Sequence, residues 1–301
     1  MPPAAVPAAY APHDRLIATA RARPQLWRLA AGTVLGTAVY VALIAGMFLY
    51  IRLAHGMFVA AAIGMALPAG ATPGTLVLLL YSFAGLAVGA FIAVRALHGR
   101  SAATLFGPAP RPVLRDAALV AGPVILLHAV ILPLALRGGA SPHVPPATVL
   151  LWLPAALPAL LIQVGAEEVA FRGYLQSQLA ARFRAPWVWI GGPSLLFAAG
   201  HYAPAAYGPA AVPVVIWAFA FGCLAADLTA RTGNLGAAIG LHFASNFAAL
   251  FLLGLAGNMD GLALWTIAPD FGDPGTLTGF LAADFLMLAV AWLLARTVLR
   301  V

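Results

Sequence analysis

The sequence predicts an all-α fold: a polytopic membrane helical bundle of about eight transmembrane helices, with both termini cytoplasmic. Three observations carry this reading. Hydrophobic residues make up 63% of the 301 positions and charged residues only 8%, against about 25% charged in a soluble globular domain. Apolar runs of roughly 20 residues, the length that crosses about 30 Å of hydrocarbon, recur along the whole chain. The arginines gather in alternate connecting segments.

The apolar runs fall at about 30–51, 75–94, 117–136, 147–179, 187–205, 211–230, 234–256 and 277–295. The fourth is longer than a span needs. Its last turns, which hold Arg172, Gln176 and Gln178, are expected to emerge into water. A further run at about 57–68, interrupted by Pro68 and Gly70, reads as a re-entrant or interfacial segment. Pro193, Pro204 and Pro213 interrupt the fifth and sixth runs. Kinks there require neighbouring helices or water to satisfy the freed carbonyls.

Orientation follows from the arginines. With the N-terminus inside, thirteen lie in inside segments (Arg15, Arg21, Arg23 and Arg28 among them) and only Arg52 and Arg137 in outside ones. This positive-inside bias requires an even number of spans. The outside loop at 257–276 is acidic, with Asp260, Asp270 and Asp273, which agrees. Residues 1–29 form a cytoplasmic N-terminal tail in this scheme, and 30–301 a transmembrane bundle. The tail is rich in Pro, Ala and Arg and lacks a hydrophobic core before a cleavage site. No cleaved signal peptide is therefore expected, and the first span acts as the insertion signal.

Composition also excludes functions. The formal charge is +7 with no lysine, but no basic cluster is interleaved with exposed aromatics, so nucleic-acid binding is not expected. Cys223 is the single cysteine; an internal disulfide and a thiolate metal cluster are both ruled out, and the residue reads as a small buried hydrophobe. No soluble domain, low-complexity tract or internal repeat is visible.

The only two glutamates, Glu167 and Glu168, stand side by side inside the fourth apolar run. A charge near the bilayer centre costs at least about 2.5 kcal/mol on insertion scales, so carboxylates there mark chemistry or transport. On a helix Glu168 and Arg172 are i and i+4 and can pair on one face. Glu167 is rotated by about 100° and points toward Gln163, Phe171 and Tyr174. One carboxylate is thus neutralised by an internal partner and the other left available, which lets the two differ in proton affinity as an acid–base site requires. A second patch sets Phe197 and His201 on one face of the fifth run, and a third sets His242 and Asn246 on one face of the seventh. A histidine with an i+4 asparagine is suited to polarising a carbonyl or orienting a water. Asp227 and Arg231 form a fourth pair, at a cytoplasmic helix end, read as structural.

Each patch also has a plain structural reading. A lone membrane histidine is often an interhelical hydrogen-bonder, and a Glu–Arg pair can be a neutralised packing bridge. The combination points to function: a glutamate pair, two histidines and an asparagine on three helices. Asp284 and His128 remain over and read as structural or cavity-lining.

Together the three patches resemble the motif set of the CPBP family, the CAAX-protease and bacteriocin-processing intramembrane endopeptidases. That family carries EExxxR, FxxxH and HxxxN (or D) on successive core helices. Here they read Glu167-Glu168…Arg172, Phe197…His201 and His242…Asn246, in order and without departure, over about residues 147 to 256. The resemblance implies a glutamate-dependent intramembrane peptidase acting on a membrane-embedded or lipid-proximal CAAX-like or bacteriocin-type peptide in a bacterial cytoplasmic membrane. It implies that Glu167 is the general base that activates water, that His201 helps hold that water, and that His242 and Asn246 stabilise the oxyanion. Glu168 and Arg172 would be a supporting pair, with Phe197 beside them. No cofactor is implied. Two histidines and a glutamate can in principle ligate zinc, yet there is no HExxH and the glutamate-base scheme needs no ion, so a metal-free site is expected.

Two readings of other classes stand beside this one. The same ionisable residues would serve a proton-coupled transporter as a relay, with flux driven by a proton gradient. A non-catalytic scaffold or immunity factor would bind a partner through its helices and tolerate loss of Glu167 or His242.

Overall fold

In a computed structural model, which describes residues 7–301, six helical segments are long and apolar enough to cross a membrane: Leu26–His55, Pro73–His98, Ala102–Arg137, Pro146–Arg182, Pro204–Thr232 and Pro274–Leu299. Shorter apolar helices occupy Met57–Ala66, Trp187–Ala199 and Gly236–Leu252. The all-α membrane bundle stands, and the count of eight is approximate: the runs at 187–205 and 234–256 are helices of less than spanning length. The first of these ends at Ala199, and beyond it Pro204 holds Ala203 out of helical backbone (φ −131°, ψ 75°). The second gives way to extended chain at Leu253. Within the stretch at 57–68, Met57–Ala66 forms a short apolar helix with no buried residue, and Leu67 just after it is buried.

The helices are α1 (His13–Ile17), α2 (Leu26–His55), α3 (Met57–Ala66), α4 (Pro73–Ser82), α5 (Ala84–His98), α6 (Pro110–Arg137) and α7 (Pro146–Glu168). They continue as α8 (Ser177–Arg182), α9 (Gly192–Ala199), α10 (Pro204–Tyr207), α11 (Ala211–Thr232), α12 (Gly236–Phe247) and α13 (Pro274–Leu299). Helix ends obey local chemistry. Thr72 caps α4 in a reciprocal capping box with Thr75. Asp273 caps α13 by accepting from the Thr276 N–H at 2.7 Å, and that bond holds its carboxyl below the usual carboxylate range. Gly99 (φ 66°) and Gly233 (φ 68°) close α5 and α11 in the left-handed conformation.

Of the prolines expected to kink the fifth and sixth runs, Pro193 lies inside Trp187–Ala199 where π-helical backbone passes into α9, whereas Pro204 in α10 and Pro213 in α11 sit in first turns. There the missing N–H has no intrahelical partner to lose. Interior prolines occur in α6 (Pro123, Pro133) and α7 (Pro154, Pro158).

A second expectation fails at the end of the fourth run. Arg172, Gln176 and Gln178 do not emerge into water; all three are buried. The chain passes from α7 through a π-helical stretch, Val169–Gln176, into α8. Neighbouring elements take up part of the polar load: Gln176 donates to the Ala226 carbonyl at 3.0 Å, and Ser177 accepts from Arg100 at 3.2 Å, while the Gln178 amide has no hydrogen-bond partner among the described residues.

Within the stretch read as an N-terminal tail, residues 7–25 pack onto the bundle, burying His13, Leu16, Ile17 and Ala20; residues 1–6 lie outside the described residues. Tyr10 donates to Asp227 at 2.8 Å, and Asp227 also accepts from Arg231 (2.9 Å) and from Trp292 on α13 (2.9 Å). The Asp227–Arg231 pair is thus a structural junction of three elements. At the other end of the molecule, short strands β1 (Ser141–Pro142), β2 (Leu253–Leu255) and β3 (Trp265–Ile267) form a small sheet, with β3 antiparallel to β1 and parallel to β2. This sheet ties the chain entering α7 to the chain leaving α12.

Candidate active site

Four helices supply the polar cluster. Helix α7 carries Gln163, Glu167 and Glu168, with Arg172 just beyond it; α9 carries Phe197 and ends near His201; α11 contributes the Gly222 carbonyl; α12 carries His242 and Asn246. The glutamates stand where α-helical backbone passes into π-helical backbone. Such turns occur often at functional sites, because the altered register re-aims side chains.

Glu168 is fully buried, and the Arg172 guanidinium is 1% exposed. Arg172 Nη1 donates to Glu168 Oε1 at 3.2 Å, Nη2 donates to the Gly222 carbonyl at 3.3 Å, and the guanidinium carbon lies 4.8 Å from the centre of the Phe197 ring. The i,i+4 pair expected from the sequence is therefore present, and an aromatic face and a backbone carbonyl complete the cation's shell. That carbonyl comes within reach because α11 presses on α9 at Gly222, where an added Cβ would lie 2.8 Å from the Ser194 side chain.

His242 joins the two carboxylates. Its Nδ1 lies 2.8 Å from Glu168 Oε1 and its Nε2 3.5 Å from Glu167 Oε2. A carboxylate held by arginine only accepts, so Nδ1–H donates to Glu168, and that bond fixes how the ring is turned. Phe221 packs against the ring at a centroid distance of 4.8 Å. One turn along the same two helices, Asn246 Nδ2 donates to Gln163 Oε1 at 3.0 Å. Helices α7 and α12 thus meet in a two-rung ladder, Glu167–His242 and Gln163–Asn246.

His201 is half-buried. Its Nδ1–H donates to the Phe197 carbonyl at 2.9 Å, and its ring lies 4.5 Å from the Phe197 ring. Among the described residues it makes no hydrogen bond to either glutamate; Phe197 is what links it to the cluster. Sequence reasoning placed Gln163 beside Glu167 but gave it no role. The signal was available, since Gln163 precedes Glu167 by four residues as His242 precedes Asn246. Nothing in the sequence marked Gly222 or Phe221.

Among the described residues no group of three or more His, Cys, Asp or Glu side chains converges to hold a metal ion. Both ring Nδ1 atoms are committed, one to Glu168 and one to a backbone carbonyl.

Buried carboxylates, imidazoles and an amide thus meet inside an apolar helical bundle with six segments of spanning length. Residues 148–248, about a third of the chain, match the family model described as type II CAAX prenyl endopeptidase Rce1-like, and this segment is similar to the CAAX-type intramembrane proteases of the CPBP family. The matched stretch contains Glu167, Glu168, Arg172, Phe197, His201, His242 and Asn246. No curated protein and no solved structure matches the chain.

Proposed function

We propose that this protein hydrolyses a peptide bond of a membrane-embedded or lipid-proximal substrate, with Glu167 activating water, through a catalytic core spanning about residues 147–256. The observation that carries the reading is that Glu167 faces His242 Nε2 at 3.5 Å, one helical turn from the Asn246 amide. This sets a base and two donors along one seam between α7 and α12.

Glu167 takes a proton from water as the oxygen attacks the scissile carbonyl carbon. The negative charge passes to the carbonyl oxygen, where His242 Nε2–H and Asn246 Nδ2–H donate; such donors are commonly worth about 3 kcal/mol each. Because Nδ1–H is given to Glu168, a donating Nε2 requires the doubly protonated ring, and Glu167 and Glu168 supply its counter-charge. Collapse of the tetrahedral intermediate breaks the C–N bond, and the proton held by Glu167 passes to the leaving amine. His201 helps position the water. Glu168 and Arg172 act through His242 and touch no substrate. No step needs a metal ion or a covalent enzyme intermediate.

Comparative peptidomics of membranes from cells carrying the wild-type protein and Glu167→Ala tests this. Peptide termini present only with the wild type support the proposal. Unchanged termini in Glu167→Gln or Glu167→Ala, at equal protein accumulation, reject it. Substrate uptake into liposomes driven by an imposed pH difference, without proteolysis, would instead establish the transporter.

A further inference from the structure

We infer that Gln163 is a positioning residue for this reaction: its side-chain oxygen holds the Asn246 amide so that the second N–H of Nδ2 is presented along the Glu167–His242 seam. The inference rests on the proposed hydrolytic reading, and the experiment below separates its failure from failure of that reading.

The geometry is specific. Gln163 precedes Glu167 by one turn of α7, and Asn246 follows His242 by one turn of α12, so the two pairs face each other at matching levels. Gln163 is only 6% exposed, and its Oε1 accepts from Asn246 Nδ2 at 3.0 Å. A primary amide has two N–H donors and one carbonyl oxygen. The terminal torsion of asparagine is broad and roughly two-fold, so an unheld amide turns over and offers an acceptor where a developing oxyanion needs a donor. An oxygen fixed on α7 removes that freedom by taking one N–H, which leaves the other directed away from Gln163.

The arrangement parallels the one at the other rung. Glu168 takes Nδ1–H of His242 and thereby fixes the direction of Nε2. Each proposed donor on α12 is therefore turned by an oxygen from α7, and both oxygens come from one rigid helix. A shift of about 1 Å in a catalytic donor can cost roughly a hundredfold in rate, which gives this restraint its leverage.

The test uses full-length protein in proteoliposomes and an internally quenched peptide copied from the cleavage site found by peptidomics. Gln163→Met keeps length and volume but removes the acceptor; Gln163→Glu keeps an oxygen there. The expected result is a fall in kcat of about tenfold or more for Gln163→Met, with KM within about twofold, and recovery to within about threefold of wild type in Gln163→Glu. Wild-type kcat in Gln163→Met, or equal impairment of both variants, would overturn the assignment. If Glu167→Gln is inactive and Gln163→Met fully active, only the role of Gln163 falls; if Glu167→Gln is fully active, the hydrolytic reading falls and takes this inference with it.

A second measurement does not depend on turnover. The Gln163 amide can turn over to donate to the carboxylate of Asn246→Asp, whereas Gln163→Glu combined with Asn246→Asp sets two carboxylates about 3 Å apart. The double variant is expected to lower the melting temperature of detergent-purified protein by more than the sum of the single changes. Additive effects would show that the two side chains do not engage.

Discussion

His242 Nδ1 and Glu168 Oε1 lie 2.8 Å apart at the buried crossing of α7 and α12, and the same oxygen accepts from Arg172 at 3.2 Å. One fully buried oxygen thus fixes a cation on its own chain segment and an imidazole on another helix. Its companion Oε2 has no hydrogen-bond partner among the described residues. Loss of any member leaves an uncompensated buried charge.

Arg172→Ala is expected to destabilise the protein by about 3–5 kcal/mol, the usual cost of removing one partner of a buried ion pair. Arg172→Lys should rescue little, since a compact ammonium cannot serve Glu168 and the Gly222 carbonyl while lying flat on Phe197. Thermal melts of purified protein check both. A lysine variant as stable as wild type would show that the guanidinium shape is irrelevant.

Helix α12 lies against α6 with no room to spare: a Cβ on Gly240 would sit 2.5 Å from the Ala117 carbonyl oxygen, and one on Gly236 would meet the Val113 carbonyl. Small residues four apart permit this approach. Gly240→Ala should push α12 off α6 and displace His242, lowering kcat about ten- to a hundredfold. The same change at Gly279, where a Cβ meets nothing, should leave kcat unchanged.

His13 is buried against Trp189, with ring centroids 4.9 Å apart. Burial pushes its pKa down from 6.5 to about 4, a shift that Asp14 opposes and Arg21 assists. Between about pH 6.5 and 4 the detached segment binds a proton that the docked one refuses. Docking of residues 7–25 should therefore be strongest above pH 6.5 and weaken as pH falls, by up to about 3 kcal/mol at about 1.36 kcal/mol per pH unit. Limited proteolysis near Arg21 and Arg23 across this range reads the effect. His13→Phe should abolish the pH dependence.

Chelators should leave turnover unchanged, because the proposed mechanism uses only groups of this chain. Measuring cleavage before and after dialysis against EDTA, with metal analysis of the same sample, tests this. Activity lost on chelation and restored by zinc would point to a metal-activated water in place of the Glu167 base.

Composition and hydropathy alone specify an all-α membrane bundle, since apolar runs of spanning length leave few alternatives for backbone in lipid. The sequence also singles out the few polar residues that lie inside that bundle. A buried Glu168–Arg172 pair follows from i,i+4 spacing on one helix, and a shared His242–Asn246 face from the same rule. Residues of a single helix are related by the helix geometry alone, so such pairs are legible without a fold.

Contacts that cross between helices are set by packing and are not legible in the order of residues. Hydropathy could not tell that the runs at 187–205 and 234–256 stop short of spanning length. Nor could it tell that Arg172 and Gln176 find partners inside the protein, because polarity reports the cost of burial and not the partner that offsets it. Which carboxylate meets which nitrogen of His242, and that Gln163 meets Asn246, depend on the depth and rotation at which α7 and α12 cross. Those are set by packing at contacts such as Gly236 and Gly240 on α6, between residues more than a hundred positions apart in the chain.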